Sequence, residues 1–206
     1  SNETIRSYLE NDNVEYKFYE NFDQICSLIA DEIANEKIIG WSQDGFEFGP
    51  RALGNRSIIA DPRFFKNKKI VNSKIKFREL FRPFAPSTIK EFATKYYEIN
   101  EKQSNQEPYS FMLSTAKVKK EYRNKLEAIT HVDGTARVQL VNKQTNEKFY
   151  NLIKSFGDKT GIYTVLNTSF NRRGEPIVAS PRDAMSTFNW TGIDILVMNN
   201  FIIRKK

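Results

Sequence analysis

The sequence of 206 residues is poor in the residues that build disulfides and histidine-rich metal sites. Cys26 is the only cysteine, so no disulfide can form within the chain, and a reducing compartment, the cytoplasm, is the expected location. His131 is the only histidine, which excludes a site built from several histidines of this chain. No stretch reaches the roughly 20 apolar residues that cross a bilayer, and no secretory leader is visible, so no membrane partner is expected.

The sequence also contains neither a Walker-type glycine loop nor a dinucleotide-binding fingerprint, so any nucleotide is held in another way. The formal net charge of +7 fits nucleic acid, an anionic partner domain or a polyanionic small molecule equally well. The arginines are spread over separate motifs rather than gathered in one basic run. This distribution favours a pocket over a surface stripe.

Hydrophobic residues make up 39% of the sequence, which places it among folded proteins rather than disordered tails. Predicted strands alternate with predicted helices of about ten residues, and this order indicates an α/β fold with a twisted mixed sheet. We expect one domain over residues 21–206, after a linker or N-terminal extension over 1–20 with at most one strand, at 14–19. Further strands are predicted at 37–43, 57–60, 84–89, 111–116, 135–141, 162–167, 194–198 and 201–203. Helices are predicted at 21–33, 64–75, 90–97, 119–129, 146–156 and 181–190, with a mobile loop over 98–108.

The most informative segment is a loop over residues 43–56 that combines glycine, proline and arginine. Gly49 and Gly54 let the backbone turn and approach a ligand closely, and Pro50 fixes φ between them. Arg51 and Arg56 supply planar sets of donors that match phosphate or carboxylate oxygens. The loop therefore predicts an anion-binding site.

A second basic motif runs over residues 76–87 and contains Lys76, Arg78 and Arg82. In an extended segment, Lys76 and Arg78 would point to the same side of the chain. Arg82 follows, before a predicted strand edged by two prolines. The same residues also fit a basic helix end that leads into an ordinary strand, so this motif alone does not decide between binding and structure.

His131 opens a third motif, in which Gly134 makes a turn and Arg137 and Gln139 lie on one face of a strand. His131 can contact a phosphate or act as an acid, although a lone histidine near a turn is more often a hydrogen-bonded loop residue. The motif adds one further arginine and two polar groups to the candidates for an anion pocket.

A fourth motif places Asn167, Ser169 and Asn171 at the end of an apolar strand, where ligands bind in open α/β sheets. The alternative is a strand end followed by a turn, because Asn, Ser and Gly favour turns. The joint occurrence of all four motifs is harder to explain by structure alone. Together their arginines, one lysine and short polar groups suit a pocket for several phosphates: Arg51, Arg78, Arg82, Arg137, Lys76, Asn167, Ser169 and Asn171.

These motifs resemble the C-terminal domain of the O-carbamoyltransferases, which include nodulation-factor and antibiotic-tailoring enzymes. The resemblance rests on residues 47–57, 82–86, 133–137 and 167–171, and it covers roughly residues 20–200. It implies a YrdC-like α/β fold that binds ATP and carbamoyl phosphate, forms a carbamoyl-adenylate and releases pyrophosphate. The Lys76/Arg78 and Ser169/Asn171 pairs also match patterns of the more distant threonylcarbamoyl-adenylate synthases.

The resemblance also implies roles for the residues. Carbamoyl phosphate and the transition-state charge would be held by four cationic side chains: Arg51, Lys76, Arg82 and Arg137. Nucleotide contacts would come from Arg78, Asn167, Ser169 and Asn171, with Gln139 and His131 as further pocket members. Mg²⁺ is expected to bind through substrate phosphates rather than through protein ligands.

The family's enzymes carry a larger Kae1-like domain N-terminal to this region, and that domain holds the hydroxyl acceptor. The resemblance therefore implies a Kae1-like partner, in the same chain or as a separate subunit, and a small-molecule hydroxyl acceptor. An alternative from another class is a double-stranded RNA-binding module of the same fold, whose affinity would fall steeply with salt.

Overall fold

The computed structural model describes residues 1–205, so Lys206, the last residue of the predicted domain, lies outside the described part. Its helices are α1 (Asn2–Asn11), α2 (Phe22–Ala34), α3 (Phe65–Ile70), α4 (Ala93–Tyr96), α5 (Glu101–Ser104), α6 (Glu107–Ser110), α7 (Lys120–Arg123), α8 (Glu147–Thr160) and α9 (Pro181–Trp190). Its strands are β1 (Lys17–Phe18), β2 (Ile39–Ser42), β3 (Arg56–Ala60), β4 (Ala85–Ile89), β5 (Thr115–Lys117), β6 (Thr135–Arg137), β7 (Gln139–Val141), β8 (Thr164–Ser169), β9 (Ile195–Met198) and β10 (Phe201–Arg204). A π-helical turn (Val71–Ile75) continues α3, and a 3₁₀ turn (Lys90–Phe92) precedes α4.

Eight strands form one mixed sheet in the order β1-β10-β9-β2-β3-β8-β4-β7, and β5 and β6 form a separate two-stranded sheet. The strand β2 lies parallel to β9, and β4 lies parallel to β7. The strand β8 lies between β3 and β4 and is antiparallel to both. This order brings the end of β8, the start of β4 and the loop before β3 to the same region.

The core consists of the apolar faces of the longer helices packed on this sheet. Helix α2 packs against α8 through buried apolar side chains on both helices. Helix α8 begins at the N-cap Asn146 and ends at Gly161, whose φ of +76° is a left-handed C-terminal cap. Helix α9 starts with Pro181 after the N-cap Ser180, which forms a capping box with Asp183. The ends of both helices are therefore set by local residues.

The sequence-based prediction of a mixed α/β sheet is confirmed, but several local predictions are corrected. Residues 1–20 are not a linker: α1 buries Ile5 and Leu9 and packs against α9, and β1 pairs with β10. The polar segment 98–108, predicted as a loop, contains the short helices α5 and α6. The predicted helix at 119–129 shrinks to α7, and the strand predicted at 111–116 forms only at Thr115–Lys117. The short helices α5 and α7 bury no residue, so no apolar periodicity marks them in the sequence.

No helix in the described part of the chain is both long and apolar enough to span a membrane.

Candidate functional site

A cleft of about 380 Å³ opens where β8 ends and β4 begins. The cleft brings together seven of the ten predicted site residues: Arg51, Arg78, Arg82, His131, Arg137, Asn167 and Ser169. Its remaining lining residues are Pro50, Ala52, Pro83, Phe84, Ala85, Met112, Thr115 and Thr168, of which Met112 and Thr115 come from a segment that showed no binding motif in the sequence. Five segments that are far apart in sequence therefore converge on one concave surface.

The four arginines of the cleft share a region without a balancing carboxylate. Within residues 1–205, none of them forms an ion pair with Asp or Glu. Burial, and then the charge of Arg82, lower the pKa of Arg78; the charge of Glu79 opposes this shift and that of Arg137 adds to it. Burial, and then the charge of Arg51, lower the pKa of Arg137, whose Nε is buried without a hydrogen-bond partner in the described part of the chain. Such mutual repulsion is costly in the free protein, and a bound anion would relieve it.

The loop that carries Arg51 is organised by Glu47, a residue absent from the predicted site. Glu47 is 4% exposed, and its Oε1 accepts hydrogen bonds from the backbone N–H groups of Leu53 at 2.9 Å, Asn55 at 2.8 Å and Arg56 at 3.0 Å. A single carboxylate oxygen thus satisfies three donors of a loop that lacks regular structure. The signal in the sequence was only an acidic residue inside a glycine-rich turn.

Two further residues of this loop have structural roles. Gly54 has a φ of +108°, and a Cβ at this position would lie 2.2 Å from Cδ1 of Phe149. Its carbonyl oxygen accepts a hydrogen bond from Trp41 Nε1 at 3.0 Å. Arg56, which the sequence suggested as an anion-binding group, does not line the cleft and donates instead to the carbonyl oxygens of Gln43 and Asn55. Arg51 is therefore the arginine of this loop that faces the cleft.

The floor of the cleft is a hydrogen-bonded network around Asn167, which is 1% exposed. Its Nδ2 donates to the carbonyl oxygen of Ala52 at 3.0 Å, to Ser87 Oγ at 2.9 Å and to Gln139 Oε1 at 3.2 Å. Gln139 Nε2 donates to the carbonyl oxygen of Leu53 at 2.8 Å, so Gln139 lies behind the cleft and supports it. Asn167 Oδ1 is buried without a partner, which leaves one acceptor available at the cleft.

Lys76 lies next to the cleft without lining it, and 5% of its surface is exposed. Its Nζ donates to Ser169 Oγ at 3.1 Å, to Asn171 Oδ1 at 2.7 Å and to the carbonyl oxygens of both residues. Burial, with a smaller contribution from the charge of Arg78, lowers the pKa of Lys76 to about 7. Asn171 Nδ2 donates to the carbonyl oxygen of Glu175 at 2.7 Å, so Asn171 also lies beside the cleft as a support.

The expectation that Lys76 and Arg78 point to the same side is wrong. The segment is not extended, because Lys76 has helical backbone angles and Phe77 has a φ of +45°. A positive φ at a phenylalanine is an uncommon, strained conformation of the kind that clusters at functional sites. This turn sends Lys76 toward the end of β8 and Arg78 into the cleft, where Arg78 Nε donates to Asn72 Oδ1 at 2.8 Å.

His131 is half-buried in the cleft wall, with Nδ1 3.3 Å from Thr135 Oγ1. Burial lowers its pKa, and the charges of Lys68 and Arg137 act in the same direction, whereas Asp133 and the carbonyl oxygen of Phe84 oppose the shift. A neutral imidazole at neutral pH follows, and it can either donate or accept one hydrogen bond in the cleft.

The molecule is thus a mixed α/β sheet with a polar cleft at a strand end, and the cleft is lined by four arginines that form no ion pair within residues 1–205. The family description "Carbamoyltransferase C-terminus" matches residues 30–205, and the chain belongs to this family. The nodulation protein NolO of Bradyrhizobium diazoefficiens is 48% identical over 184 residues, which are 89% of this chain and 33% of that protein. The 3'-hydroxymethylcephem-O-carbamoyltransferase of Amycolatopsis lactamdurans is 33% identical over 84% of this chain and 31% of that enzyme. The chain thus spans about a third of the length of these relatives.

Among solved structures, full-length HypF in a phosphate- and nucleotide-bound form superposes with a TM-score of 0.61. The match covers 86% of this chain and 25% of HypF at 18% sequence identity, and it supports the fold alone. The predicted YrdC-like α/β fold is confirmed, as is the resemblance to the C-terminal domain of the carbamoyltransferases.

Proposed function

We propose that this protein activates a carbamoyl group within an O-carbamoyltransferase by binding carbamoyl phosphate and ATP and forming carbamoyl-adenylate. The observation that carries the proposal is the convergence of four guanidinium groups without carboxylate partners on one cleft. Two phosphate-bearing substrates bring several negative charges together, and pre-placed cations offset that repulsion without reorganising. A concave cleft suits such small polyanions better than it suits a long nucleic acid backbone.

The reaction balances when water is included. Water cleaves the bond between the carbamoyl group and phosphate, which gives carbamate and inorganic phosphate. A carbamate oxygen then attacks the α-phosphorus of ATP, and the bond to the bridging oxygen breaks with release of pyrophosphate. Adenylation converts a poor electrophile into one with a good leaving group, so that a hydroxyl acceptor can later take the carbamoyl group and release AMP.

The residues divide into those that would hold charge and those that would orient the substrates. Arg51, Arg82 and Arg137 would bind carbamoyl phosphate and the developing charge, and Arg78 and Ser169 would bind nucleotide phosphates. The free Oδ1 of Asn167 would accept a hydrogen bond from the carbamoyl NH₂ group. The ammonium of Lys76 is hydrogen-bonded to Ser169 Oγ and Asn171 Oδ1 at the end of β8. Lys76 would therefore contact a phosphate only after breaking these hydrogen bonds; otherwise it would act by positioning Ser169 and Asn171.

The donor set fits Mg²⁺ only through the substrates. The lining residues of the cleft include no carboxylate, whereas Mg²⁺ in sites of this kind is held by phosphate oxygens and water. When bound, the ion would neutralise phosphate charge and favour departure of pyrophosphate, and the arginines would carry out the remaining charge stabilisation.

A partner domain would present the hydroxyl acceptor to the activated carbamoyl group. The relatives are about three times longer than this chain, which supports a Kae1-like domain, in the same polypeptide or as a separate subunit, in this role. Four exposed apolar side chains lie next in sequence to cleft residues: Phe77, Phe81, Leu113 and Val132. A partner domain that covers them would also keep water from the activated carbamoyl group.

The experiment is a pyrophosphate-release assay with carbamoyl phosphate, ATP and Mg²⁺. We expect Arg82→Ala and Arg137→Ala each to lower the rate by about 10²–10³-fold, the usual cost of losing one charge-stabilising donor. The control is Arg182→Ala, since Arg182 is exposed on α9 and does not line the cleft. Unchanged rates in both cleft variants, or no release by the wild type with substrates bound, would contradict the proposal.

A further inference from the structure

A second cavity, of about 420 Å³, lies beside the cleft. It is lined by Lys68, Phe81, Pro83, His131, Val132 and Asp133. Pro83 and His131 also line the cleft, so the two spaces share a wall at these residues. Of the charged residues of this cavity, Lys68 belongs to no sequence motif and is one of several lysines in the predicted helix at 64–75.

Lys68 differs from its neighbours in how its charge is compensated. It is 6% exposed, and within residues 1–205 its ammonium forms neither a hydrogen bond nor an ion pair; its Nζ lies 5.6 Å from the ring centroid of Phe65. By contrast, Lys66 pairs with Glu36 at 2.6 Å, and the buried Lys76 is surrounded by oxygens. Burial lowers the pKa of Lys68. A largely buried cation that lines a cavity without an ion-pair partner is costly, and a bound anion would compensate it.

The charges around the cavity are mixed. Burial, and then the charges of Lys68 and Arg137, disfavour protonation of His131 in the free protein. A bound anion would act in the opposite direction and favour the protonated imidazole, whose two N–H groups both donate hydrogen bonds. Asp133 lines the same cavity, and its carboxylate would repel a bound anion. However, Asp133 Oδ1 already accepts hydrogen bonds from Thr135 N at 2.9 Å and Thr135 Oγ1 at 2.7 Å, which stabilise its charge locally.

We propose that Lys68 and His131 form a phosphate-binding subsite on the outer side of the cleft. The subsite takes a free phosphate or the terminal phosphate of a larger molecule. Binding of phosphate there does not depend on the reaction. Its use in catalysis rests on the proposed function, in which the subsite receives the phosphate or pyrophosphate that leaves the cleft.

The test uses His131 as a reporter, because it is the only histidine in the sequence and gives one set of ring signals by NMR. Inorganic phosphate, pyrophosphate and ATP are titrated separately into the whole protein. We expect the ring signals to shift with phosphate and, more strongly, with pyrophosphate. Lys68→Met should weaken both by about tenfold or more, as expected for loss of a charged hydrogen bond. Lys69→Met is the matched control, since Lys69 is exposed on the same helix and does not line the cavity.

Two further variants separate this subsite from the cleft. Arg51→Ala changes the cleft and not the second cavity, so a His131 response that is lost in Arg51→Ala but kept in Lys68→Met would place the phosphate in the cleft and overturn the subsite. Asp133→Asn should strengthen phosphate binding, since it removes an opposing charge. The proposal is overturned if phosphate and pyrophosphate leave His131 unshifted, or if Lys68→Met and Lys69→Met behave alike.

Thermal unfolding of the variants provides a second measurement. Lys68→Met removes a buried charge that has no ion-pair partner, so its melting temperature should rise above that of the wild type, whereas Lys69→Met should leave the melting temperature unchanged. Lys68→Gln provides a second neutral variant and should show the same loss of phosphate binding. A response of His131 without pyrophosphate release would support the subsite and count against the proposed reaction. Pyrophosphate release with an unresponsive His131 would support the reaction and overturn the subsite.

Discussion

The two walls of the cleft differ in how their polar groups are satisfied. The inner wall is formed by Asn167 and Ser169 and is supported by Lys76, Asn171 and Gln139, which lie beside or behind the cleft; these residues are buried or half-buried and joined by hydrogen bonds within the protein. The outer wall, formed by Arg51, Arg78, Arg82 and Arg137, comes from loops and a short strand, and its cations form no ion pair within residues 1–205. Apart from Asn167 Oδ1, the described part of the protein satisfies the buried polar atoms of the inner wall, whereas the outer wall presents its charges to the cleft.

This contrast predicts different outcomes for substitutions. Changes in the inner wall or in the loop above it should reduce stability first and activity as a consequence. Changes in the outer wall should reduce activity and leave stability unchanged or higher, because they relieve repulsion. Three variants test the inner side, in order of decreasing expected effect.

Gly54→Ala should have the largest effect on stability. The new Cβ would lie 2.2 Å from Cδ1 of Phe149 at a φ of +108°, so strain and overpacking add to about 3 kcal/mol of lost unfolding free energy. Gly45→Ala is the control, because Gly45 also has a positive φ but no atom within 4 Å of a new Cβ. Urea denaturation of both variants measures the difference. Equal losses would show that Phe149 moves aside and that the loop is less rigid than its contacts indicate.

Lys76→Met should change how stability depends on pH. The pKa of Lys76 is about 7 in the folded protein and near its ordinary value of about 10.4 in the unfolded chain. The unfolded state therefore binds more protons between these values, so the wild type gains stability relative to Lys76→Met as pH rises from 7 toward 10. We expect the difference in unfolding free energy between the wild type and Lys76→Met to change by about 2 kcal/mol or more between pH 7 and pH 9.5. Parallel stability curves for the two proteins would contradict the lowered pKa.

Glu47→Gln should have the smallest effect of the three. The amide oxygen can still accept from the loop N–H groups but carries no charge, so the loss is about 1–2 kcal/mol. The same change should raise the KM for carbamoyl phosphate, since the loop carries Arg51. Glu121→Gln, an exposed change on α7, is the control and should leave both quantities unchanged. An unchanged KM with reduced stability would separate Glu47 from the positioning of Arg51.

Sequence patterns predicted the parts of the fold that depend on local periodicity and caps. The N-terminal ends of α2, α8 and α9 are set by the N-caps Asn21, Asn146 and Ser180, the last followed by Pro181. Each cap acts on backbone N–H groups only two or three residues away. The patterns failed where an element has few apolar residues. Helix α1 buries only Ile5 and Leu9 and packs against α9, and the four-residue helices between α4 and β5 are too short to show an apolar face.

For the candidate site, too, the sequence determined some features and the tertiary structure determined others. Residue type and motif selected Arg51, Arg78, Arg82 and Arg137, which the structure brings together at the cleft. The same criteria also selected Arg56, which does not line the cleft, so they did not tell which cation faces it. That choice depends on the positive φ of Phe77, which turns Lys76 away from the cleft, and on the carbonyl groups that engage Arg56.

The amino-acid order thus specifies the class of chemistry, an electropositive pocket on a mixed α/β sheet, because charge, turn residues and periodicity act locally. Three-dimensional contacts assign the roles within that pocket. Glu47 becomes the support of a loop, Gln139 a support of the floor, and Lys68 a buried cation without an ion-pair partner in the described part of the chain, because hydrogen-bond partners and burial arise only when distant segments meet.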